Sequence, residues 1–250
     1  MQDFAPPQYW VDSYKVYSYH TDAQQQLSLT AMLHFLQETA YNHASANGFG
    51  YEDLSRSGLF WVLSRVTLRV LRYPKWNEEL RLRTWSKQPS ALTGNRDFEL
   101  LDAQGNTIAA ATTMWLMLDA VTHRPQRVSR FGTDFPHVLD RHAIAETPEK
   151  IPALSPDFTS APHDIAPSDI DLNGHVNNAC YVRWVLDCVP PSVVADGKNI
   201  AQIEVNFLQE SHAGQRYVIA TQANAGNAFS ANVTRCDDGK ELIRMRATQI

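Results

Sequence analysis

One order of elements is written twice in this chain, and it constrains the fold more than any other feature. In the first half Leu29, Met32, Leu33, Leu36 and Ala40 recur at helical spacing, and Gly48 follows as a stop. Strand-like runs come next. FWVLSRVTLRVL sets Val66, Leu68 and Val70 against Arg65, Thr67 and Arg69, LRLRTW alternates again after YPKWNE, and DFELLD and TIAAATTMWLML flank AQGN, a hairpin connection. In the second half Tyr181, Trp184, Val185 and Cys188 form a helical stripe that stops at Pro190-Pro191. IEVNFL and RYVIATQ then flank QESHAGQ, and ANVTRC and LIRMRATQI flank DDGKE. A helix followed by antiparallel strands, twice over, predicts an α+β chain made of two like domains.

Proline placement divides the repeat. Seven of the thirteen prolines fall between Pro125 and Pro167. Proline fixes φ and removes a donor, so this stretch suits an extended connector. The expected organisation is an N-terminal domain over residues 1–130, a proline-rich linker over 131–160 and a C-terminal domain over 161–250.

The halves can be laid on each other. A shift of 149 residues pairs Met32–Glu38 with Tyr181–Asp187, and a shift of 137 pairs Val66, Leu68 and Val70 with Ile203, Val205 and Phe207, and Thr84 with Thr221. Asp171, Asn173 and His175 then fall opposite Asp22, Gln24 and Gln26, and Glu210 falls opposite Tyr73. A structural need acts on both copies alike. An imidazole and a carboxylate present in one copy alone favour chemistry in the second half.

Composition removes several classes of function. The formal net charge of −5 argues against a nucleic-acid binder that relies on a general phosphate-attracting field. An apolar fraction of 44% is enough for a sizeable core. The three cysteines, Cys180, Cys188 and Cys236, have no metal-ligand spacing and read as reduced thiols. No segment approaches the ~18 apolar residues of a membrane span, and the N-terminus has no basic region leading into an apolar run. The expectation is a soluble cytoplasmic protein that binds neither nucleic acid nor membrane.

Polar residues concentrate in Ser168–Asn178, SDIDLNGHVNN. Asp169, Asp171, Asn173 and Gly174 match the first half of a calcium loop, but Cys180 stands where the bidentate Glu belongs, and Pro162 and Pro167 interrupt the helix that should precede it. A turn leading into a helix explains Gly174 and the capping residues Asn177 and Asn178, yet leaves Asp171 and His175 without a reason. A serine-hydrolase elbow GxSxG and a zincin HExxH are both missing from the sequence. Cys180 and Cys188 lie on the apolar helix and read as core residues.

The string DIDLNGHVNNACYVRW closely resembles the motif of the acyl-acyl carrier protein thioesterases, plant-type and bacterial, which reads D-x-D-x-N-x-H-V-N-N followed by Y and W. FWVLSRVTLRVLRYPKWNEELRLRTW looks like that family's hairpin with its RYPKW turn, and WLMLDAVTHRP resembles its W-x-M-x-x-x-T-R segment. The likeness runs in order from about residue 10 to the end.

The resemblance implies a tandem (double) hotdog, each domain a long helix wrapped by a curved antiparallel β-sheet, with the N-terminal one holding the acyl chain. It implies hydrolysis of the thioester between a fatty acyl chain and the phosphopantetheine arm of acyl carrier protein, with no cofactor and no metal. Asp171, Asn173 and His175 fill the family's D-x-N-x-H positions, and Glu210 in NFLQES fills its later carboxylate. Plant members carry a cysteine after that carboxylate; here the position is Ser211, so a thiolate mechanism through it is not available to this chain. Water activated by Glu210 is the expected chemistry, with Asn173 holding water or the carbonyl, His175 donating to the water network or the leaving thiolate, Asp171 orienting its neighbours, and free N–H groups of the helix beginning near Val176 facing the carbonyl oxygen.

Rival readings are a hotdog hydrolase acting on acyl-coenzyme A and a non-catalytic acyl-chain-binding protein. Phe35, Phe60 and Trp61 are candidates for lining the acyl cavity, or core residues. Arg65, Arg69, Arg81 and Arg83 are expected on one face of the first hairpin, either as a dock for an acidic carrier protein or as a solvated outer face. Two like domains in one chain fit a monomer or a homodimer.

Overall fold

The computed structural model of the chain describes residues 8–130, 137–189 and 200–249. The chain divides into two compact units, Met1–Ser64 with Val70–Pro148, and Arg65–Arg69 with Glu149–Ile250.

In the first unit, strand β1 (Trp10–Lys15) precedes helix α1 (Leu29–Ala46) and the short helix α2 (Tyr51–Arg56). Ser28 caps α1, its hydroxyl accepting the Ala31 N–H, and the helix ends as Gly48 turns into the left-handed region at φ +73°. Its buried stripe is Leu29, Met32, Phe35, Leu36, Thr39, Ala40 and His43, which packs on strands of the same unit. Phe35 stacks on Tyr14 of β1 with ring centres 4.1 Å apart. Strands β2 (Leu59–Val70), β3 (Glu79–Ser86), β4 (Thr93–Leu101) and β5 (Thr107–Asp119) follow, in the spatial order β1–β3–β4–β5–β2. Along β3 the alternation puts Leu80, Leu82 and Thr84 inside. A fully buried leucine such as Leu82 contributes about 2 kcal/mol. Arg96 is buried beside the His43 Nδ1 (2.6 Å) and Thr84 Oγ1 (3.2 Å), and burial pushes its pKa down to about 9.

The second unit contains β6 (Phe158–Thr159), β7 (His163–Asp164), helix α3 (Asn178–Cys188) and strands β8 (Ile200–Phe207), β9 (Arg216–Asn224), β10 (Ala228–Arg235) and β11 (Glu241–Gln249). Asn177 caps α3 through the Ala179 N–H, and the last turn gives way to extended backbone at Val189, the residue before Pro190. The strand order is β8–β11–β10–β9–β6, with β7 also on β9, and Arg65–Arg69 pairs with β8. With β6 and β7 standing for β1 and β8–β11 for β2–β5, this is the order of the first unit. Phe229, Ala231, Val233, Ile243 and Met245 are fully buried along β10 and β11. Each unit is thus a helix on an antiparallel sheet, the α+β class the sequence pattern predicts and the hotdog arrangement the resemblance implies.

One pairing differs from expectation. β3 pairs with β1 and β4 while β2 lies beside β5, so FWVLSRVTLRVL and LRLRTW are not partners in a hairpin. In the second unit β8 pairs with β11, and β9 with β10. Alternation marks a half-buried strand without naming its neighbour. The arginines consequently share no hairpin face: Arg69 Nε donates to Gln202 Oε1 (2.7 Å) in the second unit, and Arg83 pairs with Glu99 (3.3 Å) in the first. The AQGN and DDGKE connections do close the hairpins β4–β5 and β10–β11, with Gly105 at φ +88° and Gly239 at φ +68°.

The proline-rich stretch is packed where it is described. Residues 131–136 lie outside the described residues. In the first unit Trp85 Nε1 donates to the Arg141 carbonyl (3.1 Å), the Ala143 N–H donates to Asp97 (2.8 Å), and Ile144 is buried. In the second, the buried Asn206 of β8 accepts the Ile151 N–H at Oδ1 (2.8 Å) and donates from Nδ2 to the Glu149 carbonyl (3.0 Å). Asn206→Ala strands both backbone groups and is expected to cost about 2–4 kcal/mol, read as a lower urea midpoint with an unchanged m-value.

Candidate active site

The stretch around Ser168–Asn178 folds as two successive turns. A short 3₁₀ turn, Pro167–Asp169, comes first. The buried Asp169 carboxylate accepts the Ala166 N–H (2.9 Å) and pairs with Arg183 (2.5 Å), so this acid holds the turn to α3. The second turn closes when the Asp171 N–H donates to the His175 carbonyl (2.9 Å) and the Gly174 N–H to the Asp171 carbonyl (3.0 Å). Asp171 Oδ1 accepts the Asn173 N–H (2.8 Å), and Gly174 sits at φ +78°.

The β8–β9 connection is laid against this turn. The Val176 N–H donates to the Ser211 carbonyl at 2.9 Å, and His212 Nδ1 lies 3.2 Å from the Gly174 carbonyl. Arg235 donates to the Glu210 carbonyl (2.9 Å), and the His212 N–H to Gln215 Oε1 (2.9 Å). The result brings His175 Nε2 to 3.5 Å from Glu210 Oε2, with the two side chains 35% and 45% exposed. The ring of His212 meets that of His175 edge-on, centres 4.9 Å apart.

Of the four residues expected from the sequence, His175 and Glu210 come face to face, while Asp171 and Asn173 are joined through the turn's backbone. His212 was missed. It stands two residues after Glu210 in plain view, but only the folding-back of the connection gives it a partner.

Three other side chains that could act as nucleophiles are unsuited to that role. Ser211 is buried with its hydroxyl 2.6 Å from the Tyr181 hydroxyl. Burial pushes the Cys180 thiol up to about 11 and raises that of Cys188. The expected supply of free N–H groups at the helix start is also reduced. Val176 donates to Ser211, Asn177 to the Asp169 carbonyl (2.9 Å), and Ala179 to the Asn177 cap (2.9 Å).

The first unit repeats this frame with other side chains. Asp22 N–H donates to the Gln26 carbonyl (2.8 Å), Gln25 N–H to the Asp22 carbonyl (3.1 Å), and Gln24 N–H to Asp22 Oδ1 (2.9 Å). Gln25 sits at φ +60°, and the Leu27 N–H donates to the Pro74 carbonyl (2.8 Å). Leu27 and Pro74 hold the places of Val176 and Ser211. Gln26 therefore stands for His175, the buried Tyr73 for Glu210, and Lys75 for His212.

Comparison with known proteins bears on both units. Residues 7–131 match the family profile of the acyl-ACP thioesterase N-terminal domain, and residues 157–248 that of the C-terminal domain. A palmitoyl-acyl carrier protein thioesterase, chloroplastic, of Gossypium hirsutum is 27% identical across 94% of this chain and 62% of its own length. The chain thus spans less than two thirds of such curated relatives. An acyl-ACP thioesterase of Bacteroides thetaiotaomicron aligns with a TM-score of 0.87 at 26% identity, over 97% of this chain and 98% of that one. The 12:0-ACP thioesterase of Umbellularia californica shares the fold, with a TM-score of 0.82 at 22% identity over 98% of each chain.

A Cβ at Gly174 meets nothing within 4 Å, so backbone strain alone opposes substitution there. Gly174→Ala is expected to cost about 1–2 kcal/mol in urea unfolding, with Gly174→Asn recovering part of it.

Proposed function

Because this chain belongs to the acyl-ACP thioesterase family, we propose that it hydrolyses the thioester of a fatty acyl-acyl carrier protein, releasing free fatty acid and the carrier with its phosphopantetheine thiol. The observation that carries the reading is the His175–Glu210 pair, set 3.5 Å apart on a frame that the first unit repeats without either group. The half-exposed pair is open to water and to a substrate arm.

Glu210 takes a proton from a water molecule as that water adds to the thioester carbonyl. The Asn173 amide and His175 donate toward the water and the developing oxyanion, and the intermediate collapses with loss of the thiolate, which His175 protonates. Asp171 positions Asn173 by accepting its N–H. The first unit, with Gln26 and Tyr73 in the places of His175 and Glu210, takes the acyl chain. The acidic carrier protein is the partner. Among the described residues no helix is long and apolar enough to cross a membrane.

The test is fatty acid release from matched carrier-bound and coenzyme A-bound acyl substrates of several chain lengths. Faster turnover of the carrier-bound series is expected; preference for coenzyme A would replace the partner and keep the site. Glu210→Gln is expected to lower kcat about 10²–10⁴-fold with the circular dichroism spectrum unchanged. Ser211→Ala should stay within a few-fold of the parent kcat. A loss as deep as that of Glu210→Gln, in a variant that remains folded, would return Ser211 to the chemistry.

A further inference from the structure

His212 is the one member of the site cluster for which the hydrolysis above has no use. The ligand atoms of His175, Glu210 and His212 all lie within 4.8 Å of one another, and none of the three residues is buried. Two ligands of one tetrahedral zinc ion are separated by about 3.3 Å. His175 Nε2 and Glu210 Oε2 are already 3.5 Å apart.

The surrounding contacts favour ligation. The Gly174 carbonyl, 3.2 Å from His212 Nδ1, is an acceptor, so the proton is held on Nδ1 and the Nε2 lone pair is left for a ligand. Arg235 anchors the backbone of Glu210 (2.9 Å), and the His212 N–H is fixed on Gln215 (2.9 Å). Two imidazoles and one carboxylate suit zinc, nickel or copper and leave coordination positions open. In the first unit the corresponding residues are Gln26, Tyr73 and Lys75, which offer no such set although the backbone frame is the same.

We propose that His175, Glu210 and His212 form a site for a divalent transition-metal ion such as Zn²⁺, and that its occupancy switches hydrolysis off. Coordination ties up the Glu210 carboxylate and the His175 imidazole, the groups that move protons. The binding half of the proposal stands on geometry; the inhibition half rests on the reading of Glu210 as the base.

The experiment uses tag-free protein stripped with EDTA and then desalted, titrated with zinc chloride. Binding is followed by calorimetry and by competition with a chromogenic zinc indicator, and acyl-carrier-protein hydrolysis is measured in parallel. One zinc per chain is expected, with inhibition reversed by EDTA. His212→Ala and His212→Gln should each keep the parent turnover without zinc, bind zinc at least ~10-fold more weakly and need correspondingly more of it for inhibition. Equal zinc affinity and inhibition in parent and variants would overturn the proposal. So would loss of the site in Cys188→Ser instead, because Cys188 Sγ and His163 Nε2, 3.6 Å apart, are another pair of possible ligands. Zinc binding that depends on His212 in a protein without thioesterase activity would retain the metal site and discard the hydrolase reading. Activity without zinc binding would do the reverse.

Discussion

The backbone hydrogen bond from Val176 N–H to the Ser211 carbonyl, 2.9 Å long, is the contact on which the arrangement of the second unit depends. It joins two segments distant in sequence, the turn before α3 and the connection that leaves β8. β8 and β9 are not neighbours, so the chain between them has to cross the end of the sheet. This bond gives that crossing a fixed track past the helix start. Glu210 precedes the acceptor and His175 precedes the donor, so one bond sets the separation between the two side chains.

The first unit shows that the track is a property of the fold. Leu27 and Pro74 form the same bond at 2.8 Å, the turn below it has the same internal hydrogen bonds, and a residue in the left-handed region occupies the same place. Only the side chains differ. Tyr73 is buried where Glu210 is half exposed, and Gln26 replaces an imidazole with an amide that does not titrate. Backbone hydrogen bonding is blind to side-chain identity, so one copy has kept the frame as structure while the other presents proton-transfer groups on it. The residues behind the frame are quiet by comparison: Ser211 and Tyr181 satisfy each other in the interior, and burial keeps Cys180 protonated.

Much of this was legible before folding. Helical spacing located α1 and α3, and Gly48 and the proline pair after α3 marked their ends, because capping and φ restriction act within a few residues. Alternation found the long strands, and the AQGN turn found a hairpin, since tight turns pair the strands they join. The expected hairpin of β2 with β3 failed for the same reason. Their connection is long and contains proline, and nothing local says which edge the next strand will seek.

For the site, the sequence by itself determined which groups were available: Asp171, Asn173 and His175 on one short turn and Glu210 on a later segment, with the imidazole and carboxylate missing from the other copy. Their chemistry is intrinsic to the side chains, and comparison of the two halves needs no coordinates. Only the tertiary structure decided that Asp169 anchors α3, that the helix's first amides are already engaged, and that His212 joins His175 and Glu210. Each of these depends on where a distant segment of chain comes to rest, which is set by the packing of the whole sheet and by no residue's own preference.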